Sequence, residues 1–435
     1  MLFENIAVLD EGGRAAAGKY VGVTGERIAY IGDTAPAEDF GETYAGAGRL
    51  LMPAFYNAHA HSPMTLLRGY GENLKLQDWL TTRIFPFEDK LTGEAVYAGT
   101  LLAVAESLRF GIVSTTDMYY FCEDMLRAFL ESGAKVNISR GLTCFTDAEL
   151  ADLPGFQEAK RLFETYDGAA DGRVVAEMSL HAEYTSNPKI AAQLAEYANK
   201  TGAGMHVHIS ETKTEHAECM ARRGGKTPVA YLASLGFFET RTTAAHCVHV
   251  TEEDMDILAR KGVTVASCPI SNMKLSSGVC NVPRLLEKGV NVAIGTDGAA
   301  SNNSLNFIEE MKFFALSNKL MREDPTLVSP ADTIAAATVS GAKSQGRPDC
   351  GAIRVGAKAD LIVLDLSVPN MHPVHALANN IVYAAAGGDV RLTMADGKVL
   401  YRDGSYKTID IEKALFEADA ATRRIRGELG EQNPA

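Results

Sequence analysis

Short apolar runs alternate with amphipathic helical segments through most of the chain. Eight such runs lie at 49–58, 112–117, 135–140, 174–181, 204–209, 242–247, 263–268 and 290–296. Each run has the length and β-rich composition of a buried strand, and the intervening segments carry apolar residues at helical spacing. Eight strand–helix units in succession predict an α/β fold, a (β/α)8 TIM barrel.

Start and stop signals support the predicted helices. Asn187-Pro188 and Thr227-Pro228 each place a capping residue before a proline at the first helical position. Thr251 and Asp254 resemble a capping box. A glycine follows several helical stretches, where a left-handed residue is wanted: Gly111, Gly133, Gly202, Gly236, Gly262 and Gly289.

Both ends of the chain have a different pattern, with short β-rich stretches separated by turn residues. They are GKYVGVTGERIAYIG near the start, and GAKADLIVLDL and VRLTMADGKVLYRDG near the end. We expect them to combine into one small β-sandwich domain. The predicted division is residues 1–52 and 351–435 for this domain, with a terminal helix at the end of the chain, and 53–350 for the barrel.

Composition narrows the class of protein. A net charge of -13 over 435 residues argues against a nucleic-acid partner, which would need clustered Lys and Arg. The start lacks the pattern of a signal peptide and no run is long enough to span a membrane, so we expect a cytoplasmic protein with no membrane partner. The seven cysteines include no C-x-x-C pair, which argues against a disulfide framework. The sequence leaves open whether the protein forms a homo-oligomer.

The first sign of chemistry is His59-x-His61, directly after an apolar run. Side chains two residues apart on a strand project the same way and can share one metal ion. Alone, such a pair has about even odds of being structural.

Three further residues change this assessment. His208, His246 and Asp297 stand at or just after the ends of runs five, six and eight. In a TIM barrel the carboxyl ends of the strands meet at one mouth, so these residues are expected to be neighbours. On run five His206 competes with His208, and we favour His208 because it is at the strand end with Glu211 three residues later.

With these residues in place, the chain resembles the amidohydrolase superfamily, and within it the methylthioadenosine/S-adenosylhomocysteine deaminases and their chlorotriazine-hydrolase relatives. The motifs that carry the resemblance are MPAFYNAHAHSPMTLLRG, HISET, AAHCVHVTEED, SNMKLSSG and IGTDGAASNNSLN. It implies that His59, His61, His208 and Asp297 hold the metal. It also implies that His246 hydrogen-bonds the attacking water and that Glu211 shuttles the proton, so that Glu211, His246 and Asp297 are catalytic.

The resemblance also bears on the metal. The binuclear branch of the superfamily uses a carboxylated lysine at the end of strand four, where this chain reads MSLHAEY. We therefore expect a mononuclear site. Three imidazoles and one carboxylate suit one Zn²⁺ per subunit, and Fe²⁺ would accept the same ligands.

For the substrate, the resemblance points to Glu88 and His181 as ribose partners and to Arg140 as a substrate-binding arginine. Two of them have a simpler alternative: a helix-start carboxylate for Glu88 and a surface ion pair for Arg140. Trp79, the only tryptophan, is either a pocket wall or a core residue.

These assignments predict a hydrolytic deaminase that replaces the 6-amino group of an adenine nucleoside with oxygen and releases ammonia. The relatives that accept S-adenosylhomocysteine have a second arginine about a dozen residues after the first, where this chain reads CFTDAELADL. Smaller or neutral 5′ groups are therefore favoured: methylthioadenosine, 5′-deoxyadenosine or adenosine. The alternatives are a guanine or pterin deaminase or a halotriazine hydrolase on the same site and, from another class, a non-catalytic metal-binding scaffold.

Overall fold

The structure is a computed structural model that describes residues 1–10 and 12–431. Eight parallel strands pair in chain order, each with the next. In that order they are Phe55–Ala60, Ile112–Tyr119, Lys135–Leu142, Val174–Leu180, Gly204–Ile209, Thr242–His246, Thr264–Ser267 and Asn291–Ile294. The predicted eight-stranded α/β barrel is thereby confirmed.

The barrel closes through polar groups between its first and eighth strands. Asn57 donates from Nδ2 to Thr296 Oγ1 at 2.7 Å and accepts the Thr296 amide at 3.0 Å. The Asp297 amide donates to the His59 carbonyl at 3.0 Å. The seam therefore lies beside two of the predicted metal ligands and fixes them relative to each other.

The prediction that 49–58 forms one strand was wrong. The run contains two strands, Arg49–Pro53 and Phe55–Ala60, separated at Ala54. The first pairs antiparallel with Leu361–Asp365 in another sheet, and only the second belongs to the barrel. All their residues except Arg49 are buried, so hydrophobicity alone could not separate the two strands.

That other sheet has nine strands drawn from both ends of the chain, and it pairs mostly antiparallel. They are Leu2–Leu9, Ala15–Thr24, Arg27–Gly32, Thr43–Ala45, Arg49–Pro53, Leu361–Asp365, Val390–Ala395, Lys398–Arg402 and Ser405–Tyr406. Its strands enclose an apolar cluster separate from that of the barrel, including Phe3, Val21, Leu361 and Leu392. The division of the chain into domains at 52/53 and 350/351 stays a prediction. Residues 432–435 of the predicted segment 351–435 lie outside the described residues.

Helices cover the barrel and line its mouth. The α-helices are Leu76–Trp79, Phe85–Glu88, Gly93–Arg109, Cys122–Ser132, Pro154–Tyr166, Ala169–Gly172, Pro188–Thr201, Lys213–Arg222, Pro228–Ser234, Glu252–Lys261, Pro269–Lys274, Val282–Glu287, Phe307–Met321, Pro330–Ala337, Val339–Ser344, Leu377–Tyr383 and Ile411–Glu428. Leu80–Ile84 forms a π-helical turn, and short 3₁₀ segments lie at Ser62–Leu67, Leu150–Asp152, Pro369–Met371 and Gly387–Asp389.

The predicted helix caps are present. The Asn187 and Thr227 side chains accept the amides of Ile190 and Ala230. Thr251 and Asp254 form a reciprocal capping box. Satisfying these otherwise unpaired amides determines where each helix begins.

The seven cysteines are free thiols and buried. Among the described residues, no helix is both long enough and apolar enough for a membrane crossing. The cytoplasmic location and the homo-oligomer stay predictions.

The amino end of the barrel contains a buried charge cluster. Lys135, at the start of the third barrel strand, is paired with Asp360 and lies 2.8 Å from Asp396. The Tyr56 hydroxyl also donates to Asp360. Since Asp360 and Asp396 flank strands of the nine-stranded sheet, the cluster ties that sheet to the floor of the barrel.

Candidate metal centre and pocket

The strand ends bring the predicted metal ligands together at the carboxyl mouth of the barrel. Nε2 of His61 lies 3.3 Å from Nε2 of His208 and 3.3 Å from Oδ1 of Asp297. Nε2 of His59 lies 3.5 Å from the same carboxylate oxygen. Two triads meet the spacing of a metal site: His59, His61 and His208, and His59, His246 and Asp297. The five residues therefore surround one point.

The outer nitrogens of two histidines are held by backbone carbonyls. His61 Nδ1 donates to the Met118 carbonyl at 2.6 Å, and His208 Nδ1 donates to the His181 carbonyl at 2.6 Å. With the proton on Nδ1, each neutral ring presents an Nε2 lone pair to the centre. Two lone pairs facing each other at 3.3 Å repel, and a cation between them would remove that repulsion.

Nε2 of His59 also faces the centre without a hydrogen-bond partner. Its Nδ1 lies 2.9 Å from Nε2 of His206, while its own Nε2 is buried without a hydrogen bond. A buried nitrogen left without a partner is costly unless a ligand takes it up. The donor set and this orphaned atom fit a divalent metal ion.

Asp297 is oriented by three hydrogen-bond donors. Its Oδ2 accepts hydrogen bonds from the hydroxyls of Ser271 at 2.6 Å and Ser301 at 3.0 Å. Its Oδ1 accepts the Gly298 amide at 2.8 Å and faces the histidines. The backbone of Asp297 is left-handed, with φ 60°. Such strain in a non-glycine residue is tolerated where the surrounding contacts over-determine it.

The electrostatics of the cluster favour metal binding. Burial lowers the pKa of His59 to about 3 and also holds the pKa of His208 well below its ordinary value. Burial would raise the pKa of Asp297, but His59, His61 and His246 outweigh it and place that pKa well below its ordinary value. Neutral imidazoles and an ionised carboxylate are the protonation states that bind metals.

His246 and Glu211 face each other beside this cluster. Their closest atoms, Nε2 and Oε2, are 3.8 Å apart, and Glu211 belongs to neither metal-binding triad. His246 Nδ1 lies 2.9 Å from Oδ1 of Asn272, so the ring is held with Nε2 toward the centre. The Ser277 hydroxyl donates to Glu211 Oε1 at 3.2 Å. Burial is the main cause of the raised pKa of Glu211.

A turn stabilised by Glu215 presents Glu211 to the centre. The Glu215 carboxylate accepts the amides of Ser210 at 2.8 Å and Glu211 at 2.7 Å, and it caps the helix that follows. Ser210 has a left-handed φ of 48°. The fifth strand thus ends in a fixed turn rather than a mobile loop.

The cluster forms the floor of an inner chamber of about 740 Å³, counted with its open mouth. Asp297, His61, His208, His246 and Glu211 reach the chamber surface. The other walls are mainly apolar: Met64, Leu76, Trp79, Leu80, Ile84, Phe85, Met118 and Leu275. The chamber can therefore enclose a flat apolar ring with its reactive edge toward the metal site.

The predicted ribose partners also line this chamber. Glu88 accepts a hydrogen bond from the Tyr119 hydroxyl at 2.7 Å, and burial raises the pKa of Glu88 to about 7. The His181 ring packs 4.8 Å from the ring of His208. Trp79 is buried and contributes to the wall.

Arg140 lies farther out, in a second chamber that opens beside the first. This outer chamber is lined by Phe85, Glu88, Asp89, Tyr120, Phe121, Arg140, Thr143, Phe145, Glu158, His181 and Thr185. Arg140 Nε donates to Glu158 Oε2 at 3.0 Å, so the arginine forms an ion pair and also borders a pocket. The ion pair expected as the simpler interpretation of Arg140 is therefore present, and the residue also borders a pocket, as the substrate-binding interpretation requires.

Several residues that support the site were not identified as site residues from the sequence. They are His206 behind His59, Asn272 behind His246, Ser271 and Ser301 on Asp297, and Tyr119 on Glu88. His206, which competed with His208 as a candidate ligand in the sequence, bonds instead to the predicted ligand His59. Asn272 and Ser271 belong to the SNMKLSSG motif, which was the available signal for them.

The barrel and this cluster together define a class, the metal-dependent hydrolases with a TIM barrel. Residues 50–400 match the model of the Amidohydrolase family, and the chain belongs to that family.

Relatives of known activity extend over nearly all of the chain. The 5-methylthioadenosine/S-adenosylhomocysteine deaminase of Caldanaerobacter subterraneus subsp. tengcongensis is 39% identical over 432 residues, 99% of both chains. The 5'-deoxyadenosine deaminase of Methanosarcina mazei is 41% identical over 378 residues, 87% of both chains. A crystal structure of an adenosine deaminase from Xanthomonas campestris with bound zinc has a TM-score of 0.91 and 31% identity, covering 98% of both chains.

Proposed function

We propose that this protein is a zinc-dependent hydrolytic deaminase of adenine nucleosides, converting the 6-amino group to the inosine analogue with release of ammonia. The observation that carries the proposal is the buried carboxylate of Glu211, which stands beside a metal-binding cluster without belonging to its triads. A structural metal site would close its coordination and would have no use for such a neighbour. This argues against a non-catalytic scaffold.

His59, His61, His208 and Asp297 are the proposed ligands of one Zn²⁺. The sequence has His181, not lysine, after the fourth strand, so no bridging ligand for a second metal is supplied there. Bound zinc would lower the pKa of water to about 7 and so provide a nucleophile at neutral pH. Fe²⁺ is the alternative that the same donors accept.

Glu211 is the proposed proton carrier. Its Oε2 faces the centre, where it accepts a proton from the attacking water and delivers that proton to N1 of the purine. Protonation at N1 makes C6 electrophilic, so that the water oxygen bonds to C6. Glu211 then carries the proton of the new C6 hydroxyl to the amino group, and the C6–N bond breaks to release ammonia as the C6 carbonyl forms. The raised pKa of Glu211 suits a group that must both accept and donate a proton near neutral pH.

His246 is proposed to orient the water. Asn272 holds the far side of the ring, so Nε2 keeps one direction toward the centre. Burial would lower the pKa of His246, but Glu211 and Asp297 outweigh it and raise that pKa. The ring can therefore hydrogen-bond the water and stabilise the negative charge that develops on its oxygen.

The substrate is proposed to lie with its purine in the inner chamber and its ribose at Glu88. Tyr119 donates to one oxygen of this carboxylate, and since a carboxylate can accept several hydrogen bonds, Glu88 is proposed to accept a ribose hydroxyl as well. His181 would contact the sugar, Trp79 would form a wall beside the purine, and Arg140 would lie near the 5′ group. The relatives' activities suggest methylthioadenosine, 5′-deoxyadenosine or adenosine as substrates.

The rival hydrolases on the same site differ in their use of Glu88. A free guanine, a pterin or a halotriazine has no ribose hydroxyl to donate to a carboxylate. The position of Glu88 in the chamber wall therefore favours a nucleoside.

The test is ammonia release by zinc-loaded protein from 5′-substituted adenosines, adenine, guanine and a triazine, with metal content measured on the same sample. We expect about one zinc per chain and turnover of the nucleosides. Turnover of guanine or triazine in preference to every nucleoside would contradict the substrate class. Zinc binding without any ammonia release would support the alternative of a non-catalytic metal-binding scaffold.

A further inference from the structure

The outer chamber adjoins the place where the 5′ group of a bound nucleoside would lie, so the following inference rests on the proposed function. The two chambers share Phe85, Glu88, Tyr120 and His181 as a common wall. With its ribose at Glu88, a nucleoside would direct its 5′ substituent outward, into about 1070 Å³ of partly open space.

The charges of the outer chamber are unequal. Its wall carries three carboxylates, those of Glu88, Asp89 and Glu158, and Arg140 is its only lysine or arginine among the described residues. The remaining surface is largely aromatic. Phe121 and Phe145 are exposed large apolar side chains at its rim.

Arg140 is already committed to protein partners. Its Nε donates to Glu158 at 3.0 Å, an Nη1 hydrogen goes to the Gly141 carbonyl, and its guanidinium carbon lies 4.4 Å from the centre of the Tyr120 ring. An arginine recognises a carboxylate best through two parallel N–H donors, and here Nε is already bonded to Glu158.

Glu158 is itself held in place from the other side. Its Oε1 accepts the Cys122 amide at 2.8 Å, at the start of the helix Cys122–Ser132. The Phe121 side chain provides no cap there. Glu158 therefore stabilises that helix start while it neutralises Arg140, and it has little freedom to move away when a carboxylate arrives.

We propose that the outer chamber is a 5′-substituent subsite for uncharged or ammonium-bearing groups, and that Glu158 sets this preference by neutralising Arg140. A 5′ substituent that bears a carboxylate meets the carboxyl groups of Glu88 and Asp89 and an arginine already paired with Glu158. A methylthio group contacts the aromatic rim, and an ammonium group gains from the excess of carboxylates.

The test compares kcat/KM for three nucleosides that share one ring and differ in the 5′ group. They are methylthioadenosine, S-adenosylhomocysteine and the decarboxylated analogue of S-adenosylhomocysteine, which keeps the ammonium and lacks the carboxylate. We expect the decarboxylated analogue to exceed S-adenosylhomocysteine by about tenfold or more, the effect of one charge-assisted hydrogen bond.

The decisive variant is Glu158→Gln, which keeps the shape of the side chain and releases Arg140 from its charge partner. Turnover of S-adenosylhomocysteine should rise about tenfold, with methylthioadenosine changed less than about twofold. Glu123→Gln is the matched control. It removes the Glu123–Arg161 ion pair, 2.7 Å long, which joins the helix Cys122–Ser132 to the helix that carries Glu158, at residues that do not line the chamber.

A second variant keeps the proposal testable if Glu158→Gln does not fold. Arg140→Gln frees the Glu158 carboxylate, so turnover of the decarboxylated analogue should rise, with methylthioadenosine and S-adenosylhomocysteine changed less than about tenfold. A loss of tenfold or more for S-adenosylhomocysteine alone would show that Arg140 binds the carboxylate, which overturns the proposal. Equal turnover of the three nucleosides by the wild type would also overturn it while keeping the proposed function. No ammonia from any of them would contradict the proposed function itself.

Discussion

The two ends of the barrel both bury polar groups, and they do so in opposite ways. At the amino end, Lys135 is matched by Asp360 and Asp396, so each charge has a protein partner. At the carboxyl end, the His59 Nε2 has no hydrogen bond, and the Nε2 atoms of His61 and His208 face each other. Paired charges hold two parts of the protein together. Imidazole lone pairs without a hydrogen-bond partner are instead available to bind a metal ion.

The backbone at the carboxyl end is strained. Ser210, His246, Cys247 and Asp297, all at or just after the carboxyl ends of barrel strands, have left-handed φ angles between 47° and 71°. Each such non-glycine residue costs on the order of 1–3 kcal/mol, and the structure retains four of them around the metal centre. The carboxyl end thus gives up stability for the geometry of the candidate site.

The largest effect is expected at the carboxyl end from Glu211→Gln. The variant should lose about 10²- to 10⁴-fold in kcat because the amide cannot carry a proton. Zinc content and thermal midpoint should stay close to wild type, since Glu211 belongs to neither metal-binding triad. Full turnover at normal zinc content would refute the role of Glu211. Glu218→Gln, an exposed carboxylate on the helix that follows, is the control.

Lys135→Met should produce the opposite phenotype at the amino end. It leaves Asp360 and Asp396 as uncompensated buried charges, which typically costs about 3–5 kcal/mol of the free energy of unfolding. Denaturant unfolding measures the loss, and kcat per folded molecule should be unchanged. Lys160→Met, on a surface helix with one long contact to Glu164, serves as the control. A Lys135→Met variant that is as stable as the wild type but inactive would contradict the assignment of stability to the amino end and of activity to the carboxyl end.

Glu88→Gln should weaken nucleoside turnover by about tenfold to a hundredfold in kcat/KM, the range for a hydrogen bond to a charged group. The pKa of Glu88 is raised to about 7, so its carboxylate is progressively protonated as pH falls below 7. The wild-type KM should therefore rise as pH falls through about 7, and the KM of the variant should stay flat across that range. A KM with the same pH dependence in both proteins would exclude Glu88 as the ribose partner.

The smallest effect is expected from Asn272→Ala. Freed from Asn272, the His246 ring can rotate, and kcat should fall about tenfold. The hydrogen bond from Asn272 helps to raise the pKa of His246, so the limb of the pH profile that belongs to this histidine should move to lower pH. A kcat loss with an unmoved pH profile would indicate damage to packing and not a positioning role. Asn199→Ala, which removes an exposed contact to Gly236, is the control.

Much of the barrel was predictable from local pattern. Strand and helix periods, together with caps such as Asn187 and Thr227, identified the βα units because those signals depend on neighbouring residues. The grouping of His59, His208 and Asp297 was also predictable, since barrel geometry brings the carboxyl ends of the strands together whatever their separation in sequence.

The partners of these residues were decided only by the tertiary structure. Asn57 closes the barrel against Thr296, 239 residues later, and the split at Ala54 depends on Leu361–Asp365 pairing with Arg49–Pro53. The Arg140–Glu158 pair formed because packing placed a helix beside the end of the third strand. Such contacts depend on distances between elements, which no local pattern encodes. The sequence alone therefore determined which residues meet at the metal centre, and the tertiary structure determined what orients them and which charges around the substrate are already neutralised.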